Sequence, residues 1–579
     1  MISLTTTVIT ITTPPTTQRN RKLRRISCNH KHDNATYVDN VNRRNVLLSL
    51  GGLYGATTTT TAPGLSAAQT TATDHPGGPV QPPDLTKCHL ATDAALQNQV
   101  YCCPPYSVET TTQIYDFKLP DPSEPMRTRR PAHDYGQQNL EKYKAALTAM
   151  KGLPLDHPWN FFQQAQIHCA YCQGAYGQVG YPDVDIQVHQ SFLFPPWHRF
   201  YMYFWERILG KLINDPTFAL PFWQWDDPVG MQFPDIYLDP NSPLYDVHRN
   251  LNHYKTLMDF RYARGDPNPN SSDYPKIEGM NLHLINRIFR EGLRTPSTFM
   301  GEPVVAGQVP RCPGQLQLLH DTIHQWSGPE TSPFWDMGNF NTAARDPIFF
   351  GHHANVDRMW HLYRNFNGGN VEFKTKDWLD ATFLFVDENN RVVSDSLDAE
   401  KMRYTYETEQ LKWWNIPKSS TRSTKKTEEA LSAKSVVPVF PFGPSARVLN
   451  TTIRALVSRP MPSRSNKDPV SEVLIIDDIR IGDEQQPVRF DVYVAKPIDG
   501  NKADLSDLGE FAGSYVRVPH GHGHGNATAY PQHCLLIGIT CLIEDINAEG
   551  CESLIVSMVP RTGDITIGTV EIQLFNDAE

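Results

Sequence analysis

The chain predicts a mainly α-helical domain followed by an all-β, sandwich-like domain, and three stretches carry that reading. "RFYMYFWERILGKLI" is almost continuously apolar or aromatic and runs to Asn214-Asp215-Pro216, a helix stop. His353, Val356, Asp357 and Trp360 fall at i, i+3, i+4 and i+7, one stripe of a second helix. Far downstream, in "VRFDVYVAK", Val488, Phe490, Val492 and Val494 alternate with Arg489, Asp491, Tyr493 and Ala495, and "VEIQLF" alternates likewise. Between the two regimes lies "PKSSTRSTKKTEEALSAKS", residues 417–435, polar, charged and without hydrophobic period. It reads as a linker and a processing site. A length of 579 residues calls for two or more folded units in any case.

The N-terminus reads as an address. Residues 1–32 contain no Asp or Glu, many Thr, and the basic group Arg19, Arg21, Lys22, Arg24 and Arg25, the composition of a transit peptide. Arg43-Arg44 ahead of "NVLLSLGGLYGA" and the small residues of "LSAAQT" resemble a twin-arginine export signal. Stacked behind a transit peptide, that signal points to the thylakoid lumen, with the twin-arginine machinery and a processing protease as partners. Its apolar stretch is short of the roughly 20 residues that span a bilayer, so no stable membrane insertion is expected. Residues 1–68 carry eight Lys/Arg against two Asp/Glu, and removing them takes the formal net charge from −10 to −16. With no basic stretch in the folded part, nucleic acid is excluded as a partner. The Asn-x-Ser/Thr sequons at Asn270, Asn450 and Asn526 carry little meaning in a plastid.

Six histidines form two clusters. The first is His168 in "QIHCAYC", His189 in "DIQVHQSF" and His198 in "FPPWHRFYMYFWER". The second is His320 and His324 in "LLHDTIHQW" with His353 in "DPIFFGHHANVDRMW". Three neutral imidazoles per ion and no carboxylate suit copper cycling between Cu(I) and Cu(II), and disfavour a zinc or iron hydrolase. His320 and His324 are four apart, so one helical face aims both at one ion. The stripe through His353 makes it, rather than His352, the inward ligand. His352 is expected beside the ligands as a proton relay. His89, His133, His157, His248, His253, His283 and His361 are expected on the surface or in packing.

These motifs, with "KDWLDATFLF" and "VRFDVYVAK", resemble the type-3 dinuclear copper proteins, and within them the plant polyphenol oxidases (catechol oxidases and tyrosinases). The resemblance runs from about Cys88 to the C-terminus. It implies a catalytic domain at 69–416, a four-helix bundle holding two copper ions, closed by Tyr404-Thr405-Tyr406. A linker at 417–440 and a C-terminal β shielding domain at 441–579 would follow the 1–68 leader. It implies disulfides Cys88–Cys103 and Cys102–Cys169, and a thioether between Cys172 and His189 that fixes a ligand carried on a loop. Cys312, Cys534, Cys541 and Cys551 are left as small buried hydrophobes. Phe340 matches the aromatic gate, expected above the second copper. The implied activity is oxidation of catechols to o-quinones coupled to reduction of O2 to water, with small phenols as substrates. Two alternatives are a narrow-specificity phenol hydroxylase on the same fold and a dioxygen carrier of hemocyanin type. Plastid targeting and a cleavable linker argue against the carrier.

One departure stands out. Relatives commonly place a Glu three or four residues before the first ligand of the second copper, holding a water, and an Asn just after that ligand. Here the matching positions are Gln317, with Leu316 as the alternative alignment, and Asp321. Positions 317 and 321 are helical neighbours, so an amide–carboxylate pair would survive with its charge nearer the copper. Asp321 could then act as the base for monophenols. The competing expectation is that the exchange weakens monophenol hydroxylation and spares catechol oxidation. Finally, "VPHGHGHGNATAYPQHC" holds His520, His522, His524 and His533, read either as transient copper capture or as a polar loop.

Overall fold

The computed structural model describes residues 24–25, 77–84, 87–93, 98–103, 115–366, 373–385, 391–392, 397–408, 410–416, 436–460, 471–520 and 532–575. The twin-arginine signal, the 417–435 linker, His522 and His524 lie outside the described residues. Two residues of the predicted address, Arg24–Arg25, form a short strand beside Tyr115–Asp116 and Leu384–Phe385. No described helix is long and apolar enough to cross a membrane.

The N-terminal part is helical. Its main helices are α1 (Gln137–Lys151), α2 (Phe161–Cys172), α3 (Phe194–Leu212), α4 (Tyr274–Gly292), α5 (Gln315–Ser327) and α6 (Ile348–Phe366). Asn160 caps α2, its side-chain oxygen accepting from the Phe162 amide at 2.9 Å. Pro195 and Pro196 occupy the first turn of α3, where no amide hydrogen is needed, and Asn214 at φ 54° turns the chain out after its end. The start of α5 passes so close to Phe299 and Gly301 that a Cβ at Gly314 would lie 2.2 Å from a backbone oxygen. Only glycine fits there, and that contact sets where His320 and His324 emerge.

Helix α3 packs on α6, and α5 meets α6 from the other side. Behind the seam runs a chain of buried ion pairs. Asp357 on α6 accepts from Arg199 on α3, from Arg129 at 3.0 Å, and from the hydroxyls of Tyr404 and Tyr406. Arg129 and Arg127 both reach Glu206 at 2.8 Å. Burial pushes the Asp357 and Glu206 carboxyls up, but the arginines outweigh it and hold both below their ordinary values. The strand Tyr404–Tyr406 runs parallel to Arg127–Pro131, so the predicted tyrosine motif delivers its hydroxyls to α6.

The C-terminal part is a sandwich of two antiparallel sheets. Its strands are β1 (Ile453–Ser458), β2 (Ser471–Ile481), β3 (Val488–Ala495), β4 (Glu510–Arg517), β5 (His533–Gly538), β6 (Ser553–Thr562) and β7 (Thr569–Phe575). One sheet has the order β1-β6-β3-β4; in the other, β2 lies between β5 and β7. Leu474, Ile476, Phe490, Val492, Leu535 and Ile537 share one core, which also takes in Leu318 from α5.

The polar side of β3 does not face water. Arg489 and Asp491 are fully buried against each other at 2.9 Å, and Arg489 also donates to the Phe260 carbonyl of the helical part. Arg561 joins Asp491 to Asp266 across the same boundary. The alternating pattern therefore has two buried faces, one on the sandwich core and one on the helices.

Three disulfides are formed among the described residues. Cys88–Cys103 and Cys102–Cys169 are the expected pair. The first closes a loop of 15 residues, a constraint worth about 3 kcal/mol. The third corrects the reading of Cys312 and Cys534 as isolated hydrophobes: they are bonded to each other. Nothing local in either segment announces a partner 222 residues away.

Candidate metal centre

All six predicted histidines are fully or almost fully buried and converge. His168 comes from α2, His198 from α3, His320 and His324 from successive turns of α5, and His353 from α6; His189 sits on the loop before α3. Donor atoms of His168, His189, His198 and the Cys172 thiol lie within 4.8 Å of one another, as do those of His320, His324, His352 and His353. The two groups meet where His198 stacks on His353 at 4.5 Å between centroids.

Which nitrogen faces inward is decided by the bond that holds the other. The Nδ1 of His168 lies 3.0 Å from the Phe340 carbonyl, that of His198 2.8 Å from Phe194, and that of His324 2.7 Å from Met337. A carbonyl only accepts, so each Nδ1 carries the hydrogen and each Nε2 keeps its lone pair. Those Nε2 atoms, with that of His189, are buried without a partner. His320 Nδ1 is held by Asp321 Oδ1 at 2.8 Å, leaving its Nε2 3.1 Å from His353 Nε2. Burial lowers all six imidazoles, His198 to about 3 and His324 to about 4. Neutral rings with converging lone pairs and no carboxylate are a donor set that fits copper.

His352 is the exception within the second group. Its Nδ1 accepts from the Trp225 indole N–H at 3.2 Å, and an indole only donates. The lone pair of His352 therefore points at Trp225 and its hydrogen sits on Nε2, so it has nothing to offer an ion. That separates His352 from His353 more sharply than helical spacing does.

The loop histidine, His189, is fixed differently. The Gln187 side-chain oxygen accepts from the His189 amide at 2.9 Å and lies 3.2 Å from its Nδ1, while the Gln187 amide donates to the Cys172 carbonyl. Phe340 stacks on His189 at 4.4 Å, against 5.2 Å and 5.8 Å for its edge and tilted contacts with His324 and His320. The expected place above the second copper is thus corrected: Phe340 lies nearest the first cluster, because its own carbonyl is tied to His168.

Gln317 and Asp321 lie one helical turn apart with their side chains bonded, as the spacing predicted. Gln317 Oε1 accepts from the Gln190 amide at 2.6 Å, and burial raises the Asp321 carboxyl well above its ordinary value. Leu316, the alternative alignment, is packed in the helical core.

The sequence did not single out Gln190. It holds a left-handed backbone, φ 61°, and its side chain spans His520 Nε2 at 3.1 Å and His533 Nδ1 at 2.8 Å. His520 stacks over the outer face of Phe340, whose amide donates to Pro519. Two histidines of the Gly-His segment are thus built into the cover of the site. Of the other histidines, His253 stacks on Trp326 at 3.7 Å and His248 bonds Asp336.

Residues 158–365 match the common central domain of tyrosinase, 372–418 the polyphenol oxidase middle domain, and 445–574 the chloroplastic polyphenol oxidase C-terminal domain. The chloroplastic (+)-larreatricin hydroxylase of Larrea tridentata is 41% identical over 96% of this chain and 95% of its own. The chloroplastic polyphenol oxidase of Vitis vinifera is 43% identical over 93% and 88%. Among solved structures, latent apple tyrosinase superposes with a TM-score of 0.69 at 38% identity, covering 80% of this chain and all of that one.

Proposed function

The chain belongs to the plant polyphenol oxidase family, whose activity is copper-dependent oxidation of phenols, and we propose that it oxidises o-diphenols to o-quinones with dioxygen as acceptor. Each catechol gives up two electrons and two protons, so two catechols reduce one O2 to two waters. His168, His189 and His198 would hold one copper, and His320, His324 and His353 the other. When bound, the copper pair supplies the two-electron exchange between phenol and dioxygen. The carrying observation is the convergence of six buried imidazoles, four of which, His168, His198, His320 and His324, have their outer nitrogens engaged. Phe194, Phe340 and Phe349 wall the site, and their apolar faces keep water out and the rings neutral.

The Cys172 thiol lies within 4.8 Å of a ring nitrogen of His189, which supports the thioether; its formation removes two hydrogens, taken up by dioxygen as hydrogen peroxide. For Asp321 we propose a positioning role: its carboxylate is engaged by His320 and Gln317, so it orients a ligand rather than serving an incoming monophenol. Diphenol oxidation is then strong, and monophenol hydroxylation weak or confined to a preferred substrate. Pro519 and His520 over Phe340 support a latent enzyme, shielded until the sandwich is released, for which a cut in the 417–440 linker is required. The leader and the chloroplastic relatives support a plastid protein, and the twin-arginine stretch its passage to the thylakoid lumen.

The test is metal analysis with turnover. About two copper ions per chain are expected, with quinone formed from 4-methylcatechol once the linker is cut and the sandwich is released, at unchanged copper content. Stoichiometric zinc, or no quinone from the helical part freed of the sandwich, overturns the reading. The similarity to a larreatricin hydroxylase favours a second reading, a hydroxylase of narrow specificity. Turnover of a single phenol in a panel that includes tyramine would select it.

A further inference from the structure

Cys312 sits in the extended segment before α5, where its carbonyl accepts from the Glu302 amide at 3.1 Å. The same segment is stitched to the sandwich. The Cys534 amide donates to the Arg311 carbonyl at 3.1 Å, Arg311 pairs with Asp477 on β2 at 2.8 Å, and Gln315 donates to the Leu536 carbonyl at 2.7 Å. Three contacts around one point hold the two cysteines face to face, Cα atoms 4.8 Å apart, inside the range a disulfide spans. Cys88, Cys102, Cys103 and Cys169 all belong to the helical part; Cys312–Cys534 joins it to the sandwich and encloses the whole linker.

We infer that the Cys312–Cys534 disulfide is a covalent latch, so that cutting the 417–440 linker leaves the sandwich attached and its release takes a second reaction, reduction by a dithiol. A thiolate of the dithiol attacks one sulfur, and the second thiol closes on the mixed disulfide. Two electrons and two protons pass to Cys312 and Cys534, and the dithiol leaves as its cyclic disulfide. Both cysteines are buried, so the reductant needs the boundary to open first, and cutting the linker lowers the cost of that opening. The order of events is therefore cut, then reduce.

A clipped but bonded sandwich remains at the high effective concentration of a tethered partner, whereas an unbonded one is lost on dilution. While the latch holds, His533, the residue before Cys534, stays on Gln190 beside His189. The bond is independent of the oxidase reading; its effect on activity rests on the shielding proposed above.

The experiment uses the full chain, clipped within 417–440 by limited proteolysis. On a denaturing gel without reductant it should run as one band of uncut mass, and with reductant as two; two bands without reductant overturn the latch. Alkylation of the denatured, unreduced wild type should modify Cys541 and Cys551 and yield a linked peptide pair containing Cys312 and Cys534. Alkylation of all four cysteines overturns it independently of any variant. The variant Cys534→Ser, clipped and diluted, should turn over 4-methylcatechol about tenfold or more faster than clipped wild type. Equal turnover with the bond demonstrated would overturn the regulatory role and leave the bond standing.

Discussion

The two histidine clusters reach the same chemistry by different construction. In the second, every proposed ligand is on a helix: His320 and His324 are one turn apart on α5 and His353 is on α6. Helical backbone fixes their directions, and each of the α5 rings needs a single hydrogen bond to settle its tautomer. In the first, His189 comes from a loop, and the chain surrounds it with the Gln187 clamp, the Cys172 thiol and the Phe340 ring. Where backbone does not fix a ligand, side chains must.

The bluntest way to break the comparison is to remove a helical ligand. His324→Ala should leave one copper per chain and lower catechol turnover by at least about a hundredfold, since losing a ligand exceeds losing its support. Full activity with two coppers retained would refute the assignment of the second cluster. Next, Gln187→Ala and Cys172→Ser should weaken copper retention by roughly ten- to a hundredfold at the first cluster alone, read by chelator competition. Equal loss from both clusters would show that the loop is no weaker than the helices. The smallest effect is expected from Asp321→Asn, which keeps an acceptor for His320. Diphenol and monophenol rates should fall together by less than about tenfold, their ratio unchanged. A selective collapse of hydroxylation would instead make Asp321 the base that the sequence first suggested.

The second cluster was the more legible for the same reason that it is the simpler. Spacing of four and a stripe through His353 are local signals, and the helices obey them. Around the first cluster the Gln187 and Cys172 engagements are near in sequence, but those that cover it are long-range. Gln190 meets His520 across 330 positions, and Phe340 meets His168 across 172, so no window of sequence contains both partners. The family resemblance supplied Phe340 as a candidate but misplaced it, because its position depends on a carbonyl bonded to His168 rather than on its own side chain. The choice between His352 and His353 needed Trp225, 127 positions away, to become a statement about protons. Cys312 and Cys534 failed on the same ground.

The buried Arg489–Asp491 pair also governs how the two parts behave once they separate. The face of the sandwich that rests on the helices carries Arg489, Asp491, Ser514 and Arg561, groups that water solvates readily. Uncovering charge of both signs relieves its desolvation, while the apolar contacts across the same boundary, Leu318 in the sandwich core and Phe511 against the helical core, are bared. The charged part of that face therefore lowers the cost of parting the two halves, and the apolar contacts at Leu318 and Phe511 raise it.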